Sequence, residues 1–349
     1  YFGESHGLTP QSLGIDEVVF PEAACAESII DALLRPAVKE SVTFSHPDAE
    51  LTCFQLLPGS PLVGRALSEF PRTDLLQQLR VCAILRYGQL IIPRGESGFI
   101  SYDEVYVAGA RSVVNELLTW ARPHERPMKR VILAGSSSLA DRLARRLSGL
   151  GMSLTLVESD RIQAERSAET LGGQICVIAG SPTESRILKE AGVSGCDAFI
   201  ATGSDNESNI LGCILARRSG ARKVIATVHQ PDFLPLIVGI PMVDCAFSPM
   251  VTAINSLIRC IGTEHRRIVA VLKRTPAEIL EMSVLQGSRL AGKAIRDLSI
   301  PRSLVFALIL REARLVPAIG PEILLPRDRV VVMAHSGSTL EAEQFFGVE

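Results

Sequence analysis

Apolar positions along this chain recur with two different periods, and the switch from one to the other marks out its elements. Between Arg130 and Ser159 an apolar run, Val131 to Ala134, meets a turn of small residues, Gly135 to Ser138. Leu139, Leu143 and Leu147 then follow at helical spacing, and a second apolar run, Leu154 to Val157, ends on Glu158. The stretch predicts strand, turn, helix, strand. The alternation continues with strand Ile175 to Ala179, helix Pro182 to Ala191, strand Ala198 to Ala201, helix Asn206 to Arg218, strand Val224 to Val228 and a strand near Val243 to Ala246. Such a pattern predicts an α/β fold, a Rossmann-like doubly wound parallel sheet. Ser181, Pro182 and Glu184 predict a capping box ahead of a helix that Gly192 stops, and Ser204 with Glu207 predicts another.

On either side the pattern turns mainly β. Asp16 to Phe20 predicts a short strand and Pro21 to Leu34 a helix. Then come strand Glu50 to Leu57, a helix near Leu62 to Phe70, strands Arg80 to Arg86, Gln89 to Pro93 and Glu104 to Ala108, and helix Ser112 to Trp120. The proline-rich, basic run Ala121 to Lys129 reads as a linker. Helix Pro249 to Ile261 leads to a second β unit over Arg266 to Glu349. The two β units are one pattern written twice. Pro21 falls on Pro249, Gly59-Ser60 on Gly287-Ser288 and Gly64 on Gly292 at an offset of 228; Ala83 to Pro93 aligns with Ala307 to Pro317 at 224, and Asp103 with Asp328 at 225. If the α/β domain is duplicated too, roughly 100 residues are expected upstream of Tyr1.

Composition narrows the chemistry. The chain has 349 residues, 47% of them hydrophobic, and a net charge of -2, which gives no footprint for nucleic acid. Apolar runs such as Leu304 to Leu310 have strand length and fall far short of the roughly 20 residues that span a bilayer. Cys25, Cys53, Cys82, Cys176, Cys196, Cys213, Cys245 and Cys260 stand singly, without a CxxC pair or histidines at ligand spacing, so buried reduced thiols and no metal site are expected.

The candidate chemistry lies at the strand ends. A helix N-terminus after a tight turn offers free N–H groups to phosphate, and an acid about 20 residues on can hold a ribose hydroxyl. Where GxGxxG would stand, this chain has Gly135, Ser137 and Ala140. Alanine still permits close packing, but a left-handed serine would cost roughly 1–2 kcal/mol, so an occupied pocket and a vestigial one both fit. Candidate cofactor-binding residues are Gly135, Ser136, Ser137, Ser138, Leu139, Ala140, Glu158, Ser159, Gly180, Ser181, Thr202 and Gly203. Ser181 can equally cap its helix, and Asp205 with Glu207 reads either as a cation site or as helix capping. The apolar face of Val251, Ile254, Leu257 and Ile258 predicts self-association.

The two β units each carry the pattern S-x-L-x-G-[KR], then Arg, Pro and Asp: Ser60, Leu62, Gly64, Arg65, Arg86, Pro93 and Asp103, and again Ser288, Leu290, Gly292, Lys293, Arg311, Pro317 and Asp328. With Glu158, Ala179-Gly180, Ala201-Thr202, Asp205, Glu207, Asn209 and Ser248-Pro249, the chain resembles the regulators of potassium conductance (RCK), specifically the duplicated regulatory subunits of bacterial Trk potassium-uptake systems. That resemblance implies residues 1–35 as the remnant of a first Rossmann domain with its crossover helix and 40–120 as a first RCK C-terminal domain. After a linker at 121–128 come a second Rossmann-like domain at 129–262 and a second C-terminal domain at 266–349. It further implies a non-catalytic subunit at the cytoplasmic face of the plasma membrane that gates a potassium-translocating Trk partner, forms a homodimer or tetrameric ring, and senses NAD(H) or ATP/ADP. Family glycines before Asp103 and Asp328 are replaced by Tyr102 and Arg327, so those turns are expected to differ in shape. Ser181 stands where the family commonly has Asp, which with the altered glycine loop predicts weak or absent binding at this second site. The alternative class is an NAD(P)-dependent oxidoreductase, which needs an acid or base beside the nicotinamide; the β units offer no convergent His, Lys or Tyr.

Overall fold

The structure, a computed structural model, describes residues 14–347 apart from 16–17, 124, 174, 239, 241, 261–265, 273–274, 276 and 313. Its residues group into two units, Tyr1–Leu34 with Pro127–Cys260 and Arg35–Arg126 with Ile261–Glu349. In chain order, helix α1 (Pro21–Leu34) precedes a first β module of β1 (Val38–Thr43), β2 (Ala49–Gln55), α2 (Thr73–Leu76), β3 (Leu79–Arg86), β4 (Gln89–Ile91), β5 (Glu104–Ala110) and α3 (Arg111–Ala121). The α/β part holds β6 (Arg130–Ala134), α4 (Ser138–Gly149), β7 (Ser153–Glu158), α5 (Arg161–Leu171), β8 (Cys176–Ala179), α6 (Ser185–Glu190), β9 (Ala198–Ala201), α7 (Asn206–Arg218), β10 (Lys223–Thr227), α8 (Phe233–Val238) and β11 (Cys245–Phe247). Helix α9 (Pro249–Cys260) ends it. The second module has β12 (Arg266–Val271), β13 (Ala277–Ser283), β14 (Leu304–Arg311), β15 (Arg314–Pro317), β16 (Arg329–His335) and α10 (Thr339–Phe346).

In the first unit six parallel strands lie in the order β11-β10-β9-β6-β7-β8. Strands buried on both faces read as continuous apolar runs, which is why Val131 to Ala134 and Ala198 to Ala201 show no alternation. Leu139, Leu143 and Leu147 of α4 face the sheet, and Ile29, Ile30 and Leu33 of α1 pack with them in one core. Each such side chain contributes about 1.5–3 kcal/mol by leaving water, so a charge at Ile29 would detach α1. The chain runs outward from β6 through β7 and β8, then returns to β9. The crevice between β6 and β9 is the topological switch point, where ligands of this architecture bind.

The second unit contains two antiparallel sheets of matching order, β1-β2-β5-β3-β4 and β12-β13-β16-β14-β15. Their inner faces share one core, in which Phe44, Leu51, Leu85 and Tyr106 of the first module meet Leu272, Ile279, Leu310 and Met333 of the second. Bulges at Val81/Ala83 and Phe306/Leu308 fall at corresponding places. Arg86 corresponds to Arg311, and Gln89 to Arg314, so the register from β3 onward is 225 and the offset of 224 over Ala83 to Pro93 is corrected by one residue.

Other expectations change as well. Val18 to Phe20 is not strand, and Asp16 lies outside the described residues. The helix expected near Leu62 to Phe70 is a series of turns ending in a 3-10 turn at Leu67–Glu69, because Gly64 adopts φ +83° and breaks the helical path. Cys176 is exposed and Cys245 half-buried, against the expectation of burial, whereas Cys25, Cys53, Cys82, Cys196 and Cys213 are buried free thiols; the Cys260 side chain lies outside the described residues. No described helix is long and apolar enough to cross a membrane.

Candidate functional site

Gly135 turns the chain out of β6 with φ +100°, and a Cβ there would lie 2.5 Å from the backbone N and Cα of Gly203. Only glycine lets these two loops touch, so the first position of the fingerprint is kept by packing as well as by conformation. Thr202 closes the contact, its hydroxyl donating to the Gly135 carbonyl at 2.6 Å and its N–H to the Ala134 carbonyl at 2.7 Å. Gly203 is held by Asn209, which accepts its N–H at 3.1 Å and donates to its carbonyl at 2.8 Å.

Ser137 is not left-handed. It has φ −165° and ψ 168°, extended backbone that any residue adopts, and it is the N-cap of α4. The expected conformational cost therefore does not arise. Its hydroxyl accepts the Ala140 N–H at 3.1 Å, a contact that glycine could not make. Among the described residues the N–H groups of Ser138 and Leu139 have no partner, as the first turn of a helix leaves them, while the Leu139 and Ala140 side chains are buried against the sheet.

Glu158, at the end of β7, is 7% exposed. Its Oε2 accepts the Ser136 N–H at 2.5 Å, and its Oε1 accepts the Asp160 N–H at 2.8 Å and the Ser159 hydroxyl at 3.2 Å. An ionised carboxylate has about four acceptor directions. The three donors here use three of them. Ser136 is tied further by its hydroxyl to that of Ser167 at 3.1 Å. Gly180 joins the end of β8 to this group, its N–H donating to the Glu158 carbonyl at 2.7 Å. A Cβ on Gly180 would meet Ile187 Cδ1 at 2.5 Å, so a side chain here would make Ile187 of α6 shift.

The ends of β6, β7, β8 and β9 thus bring the twelve predicted residues to one rim, with Gly180-Ser181 at its outer side. Residues 131–249 match the family model of the TrkA-N domain, and residues 51–121 that of the TrkA-C domain. The chain is 30% identical over 325 residues to the Trk system potassium uptake protein TrkA of Halomonas elongata, an alignment covering 92% of this chain and 69% of that protein. It belongs to the TrkA family. The TrkA of Vibrio alginolyticus is 28% identical over 337 residues, covering 95% of this chain and 71% of that protein. Among solved structures, the GsuK RCK domain superposes with a TM-score of 0.50 at 15% identity over 97% of this chain and 72% of that one. A GsuK channel bound to NAD does so with a TM-score of 0.50 at 16% identity over 97% and 60%. At such identities the likeness concerns the fold, tandem RCK units with a Rossmann-like sheet.

For this TrkA-family chain the remaining motif residues fall into place, most of them as structure. Ser181 does not cap α6. Its hydroxyl pairs with that of Thr183 at 2.8 Å and accepts the Thr183 N–H at 3.3 Å, closing a turn that delays the helix to Ser185, with Glu184 as N-cap. Asp205, not Ser204, caps α7 by accepting the Ser208 N–H at 2.8 Å. Its carboxyl is held below the usual range by the Ser208 hydroxyl first, then by that N–H. No described group of three or more acids, cysteines or histidines is arranged for a metal. Sequence reasoning missed Asn206, whose Oδ1 accepts the His229 N–H at 2.9 Å, and His229, whose Nε2 lies 3.2 Å from the Gly203 carbonyl. A buried amide opening a helix was the available signal.

In the first β module, Asp103 accepts Arg86 Nε at 2.8 Å and Nη2 at 2.7 Å, plus the Ile100 N–H at 2.9 Å. Asp328 accepts Arg311 Nε at 2.8 Å and Nη2 at 2.7 Å, plus the Leu325 N–H at 2.8 Å. Tyr102 and Arg327 have φ +72° and +73°, so the two turns before the aspartates share one shape despite lacking glycine. The repeated Arg and Asp pattern is a staple in each module, a buried aspartate held by a part-exposed arginine.

Proposed function

We propose that this chain is a non-catalytic, nucleotide-sensing regulatory subunit that gates the membrane potassium-translocating partner of a Trk system from the cytoplasmic side. NAD(H) or ATP/ADP is the ligand, with phosphate on the Ser138 and Leu139 N–H groups, a ribose hydroxyl on Glu158, and Gly180-Ser181 and Thr202-Gly203 bounding the crevice. The observation that carries this reading is the fixed orientation of Glu158 against the Ser136 N–H, 2.5 Å away at the mouth of α4. Such an acceptor beside open helix-terminal donors suits a nucleotide. Ligand control of a gate requires different affinity for two states, typically 1–3 kcal/mol of coupling.

No observation favours the oxidoreductase alternative. Besides hydroxyls and amides, the rim carries one carboxylate, held by three donors, and the His229 imidazole, whose Nε2 lies against the Gly203 carbonyl. Self-association through α9 belongs to the same proposal, since Ile254 and Leu257 are exposed on it and Val251 half-exposed; the Ile258 side chain lies outside the described residues. Calorimetric titration of the chain with NAD, NADH, ATP and ADP tests the site. We expect at least one nucleotide to bind and Glu158→Ala to weaken it about tenfold. Absence of heat with all four would remove this crevice as the sensor.

A further inference from the structure

Both chain connections of the first β module meet the α/β sheet along the edge formed by the N-terminal ends of its interior strands. Helix α1 ends at Leu34 just before Arg35 enters the module, and the return runs through Pro127 and Met128 into β6. At that edge Lys223, the first residue of β10, is 4% exposed and donates from Nζ to the Ala32 carbonyl at 2.7 Å. Ala32 lies in the last turn of α1, where carbonyls lack intrahelical partners and the helix dipole gathers negative charge. The last turn of α1 has no basic residue of its own. A cation supplied by the sheet takes that role, and the helix end in turn stabilises an ammonium held out of water.

Asp197, which leads into β9, holds the other connection. Its Oδ2 accepts the N–H groups of Lys129 and Arg130 at 2.8 and 2.9 Å, and its own N–H donates to the Arg130 carbonyl at 2.8 Å. Oδ1 pairs with Arg222 Nη1 at 3.2 Å, and Arg222 Nη2 lies 3.0 Å from Met128 Sδ. The two anchors are themselves joined, because the Lys223 N–H donates to the Asp197 carbonyl at 3.0 Å.

The geometry points to a two-point clamp: Lys223 and Asp197 hold the entry and the exit of the first β module as one coupled element, so that displacement of β9 and β10 moves both connections together. Strand β9 runs on at its opposite end into Thr202 and Gly203, which places the clamp on a strand of the candidate crevice. The clamp itself does not depend on any nucleotide being bound. Hydrogen exchange on the full chain tests it, with Lys223→Met, which keeps the aliphatic stem and removes the charge, and Asp197→Asn. Each variant is expected to raise exchange about tenfold at both connections, the last turn of α1 and Met128 to Arg130. If each variant loosens only the connection it touches, the anchors are independent and the clamp is overturned. Should one variant fail to fold, the effect of the other on the opposite connection decides alone.

Discussion

The two β modules keep one strand order while differing in residue type within their shared core, where Leu272 stands for Phe44, Val331 for Tyr106 and, alone in charge, Glu281 for Cys53. Both hold a buried aspartate with a two-pronged arginine and a loop N–H, and both turn left-handed just before it. Tyr87 and Tyr102 are exposed in the first module where the second has Glu312 and Arg327, and all four adopt positive φ. In the core, Glu281 of β13 stands where β2 has Cys53. Glu281 is 2% exposed, with Arg329 Nη1 3.6 Å from it; the first module has Glu104 in place of that arginine. The lesson is that the ion-paired turn defines the module, and that residue type outside it drifts as long as the turn closes.

The comparison breaks most sharply at the staple. Asp103→Ala and Asp328→Ala each leave an arginine and a loop N–H without their acceptor, and each should cost about 3–5 kcal/mol, read as a fall in the urea midpoint. The losses should agree between the modules; a difference above about 2 kcal/mol would show that the staple carries unequal weight. Next in size is Cys53→Glu, which copies the second module's acid into the first without its arginine and beside Glu104. It should destabilise by about 3 kcal/mol, and adding Glu104→Arg should recover part of that. Smaller still are Tyr102→Gly and Arg327→Gly, which relieve a left-handed conformation worth about 1–2 kcal/mol but add unfolded-state freedom. Both should stabilise by less than about 1 kcal/mol, and equally.

The smallest effect contrasts these modules with the α/β unit. Burial pushes the Asp197 carboxyl up, but the Arg130 and Lys129 N–H groups and the Arg222 guanidinium outweigh it and hold its pKa below the ordinary value. A carboxyl depressed on folding adds stability that is fully present above its unfolded pKa, about 3.9, and is lost as pH falls through the folded value. Urea midpoints measured from pH 6 to pH 3 should therefore decline less steeply in Asp197→Asn than in the parent chain.

Much of this was legible in the residues. Parallel strands buried on both faces announce themselves as unbroken apolar runs, and the repeated glycines set the modules side by side. The sheet edges were not legible. Strand Val38–Thr43 carries Lys39, Glu40 and Ser41 at its centre, and Arg266–Val271 opens on two arginines; each pairs on one side only, so little of its sequence has to be apolar. At the candidate site the positions were readable but the bonds were not. Nothing in local sequence tells that Thr183 captures the Ser181 hydroxyl, or that Ser137 spends its side chain on Ala140, because each is settled by which neighbour the backbone brings nearer. The glycine fingerprint misled for the same reason: it prescribes a conformation at Ser137 that this turn does not use.

Two separate chains meeting across a symmetry axis must offer each other the same patch, so every substitution there appears twice. Here both faces belong to one polypeptide, and the Glu281 carboxylate accepts the Ser45 N–H at 2.6 Å from the opposing module while a thiol occupies the matching place on the other side. Fusion has released this contact from self-complementarity. One half can specialise as donor and the other as acceptor, a division of labour closed to any homodimer.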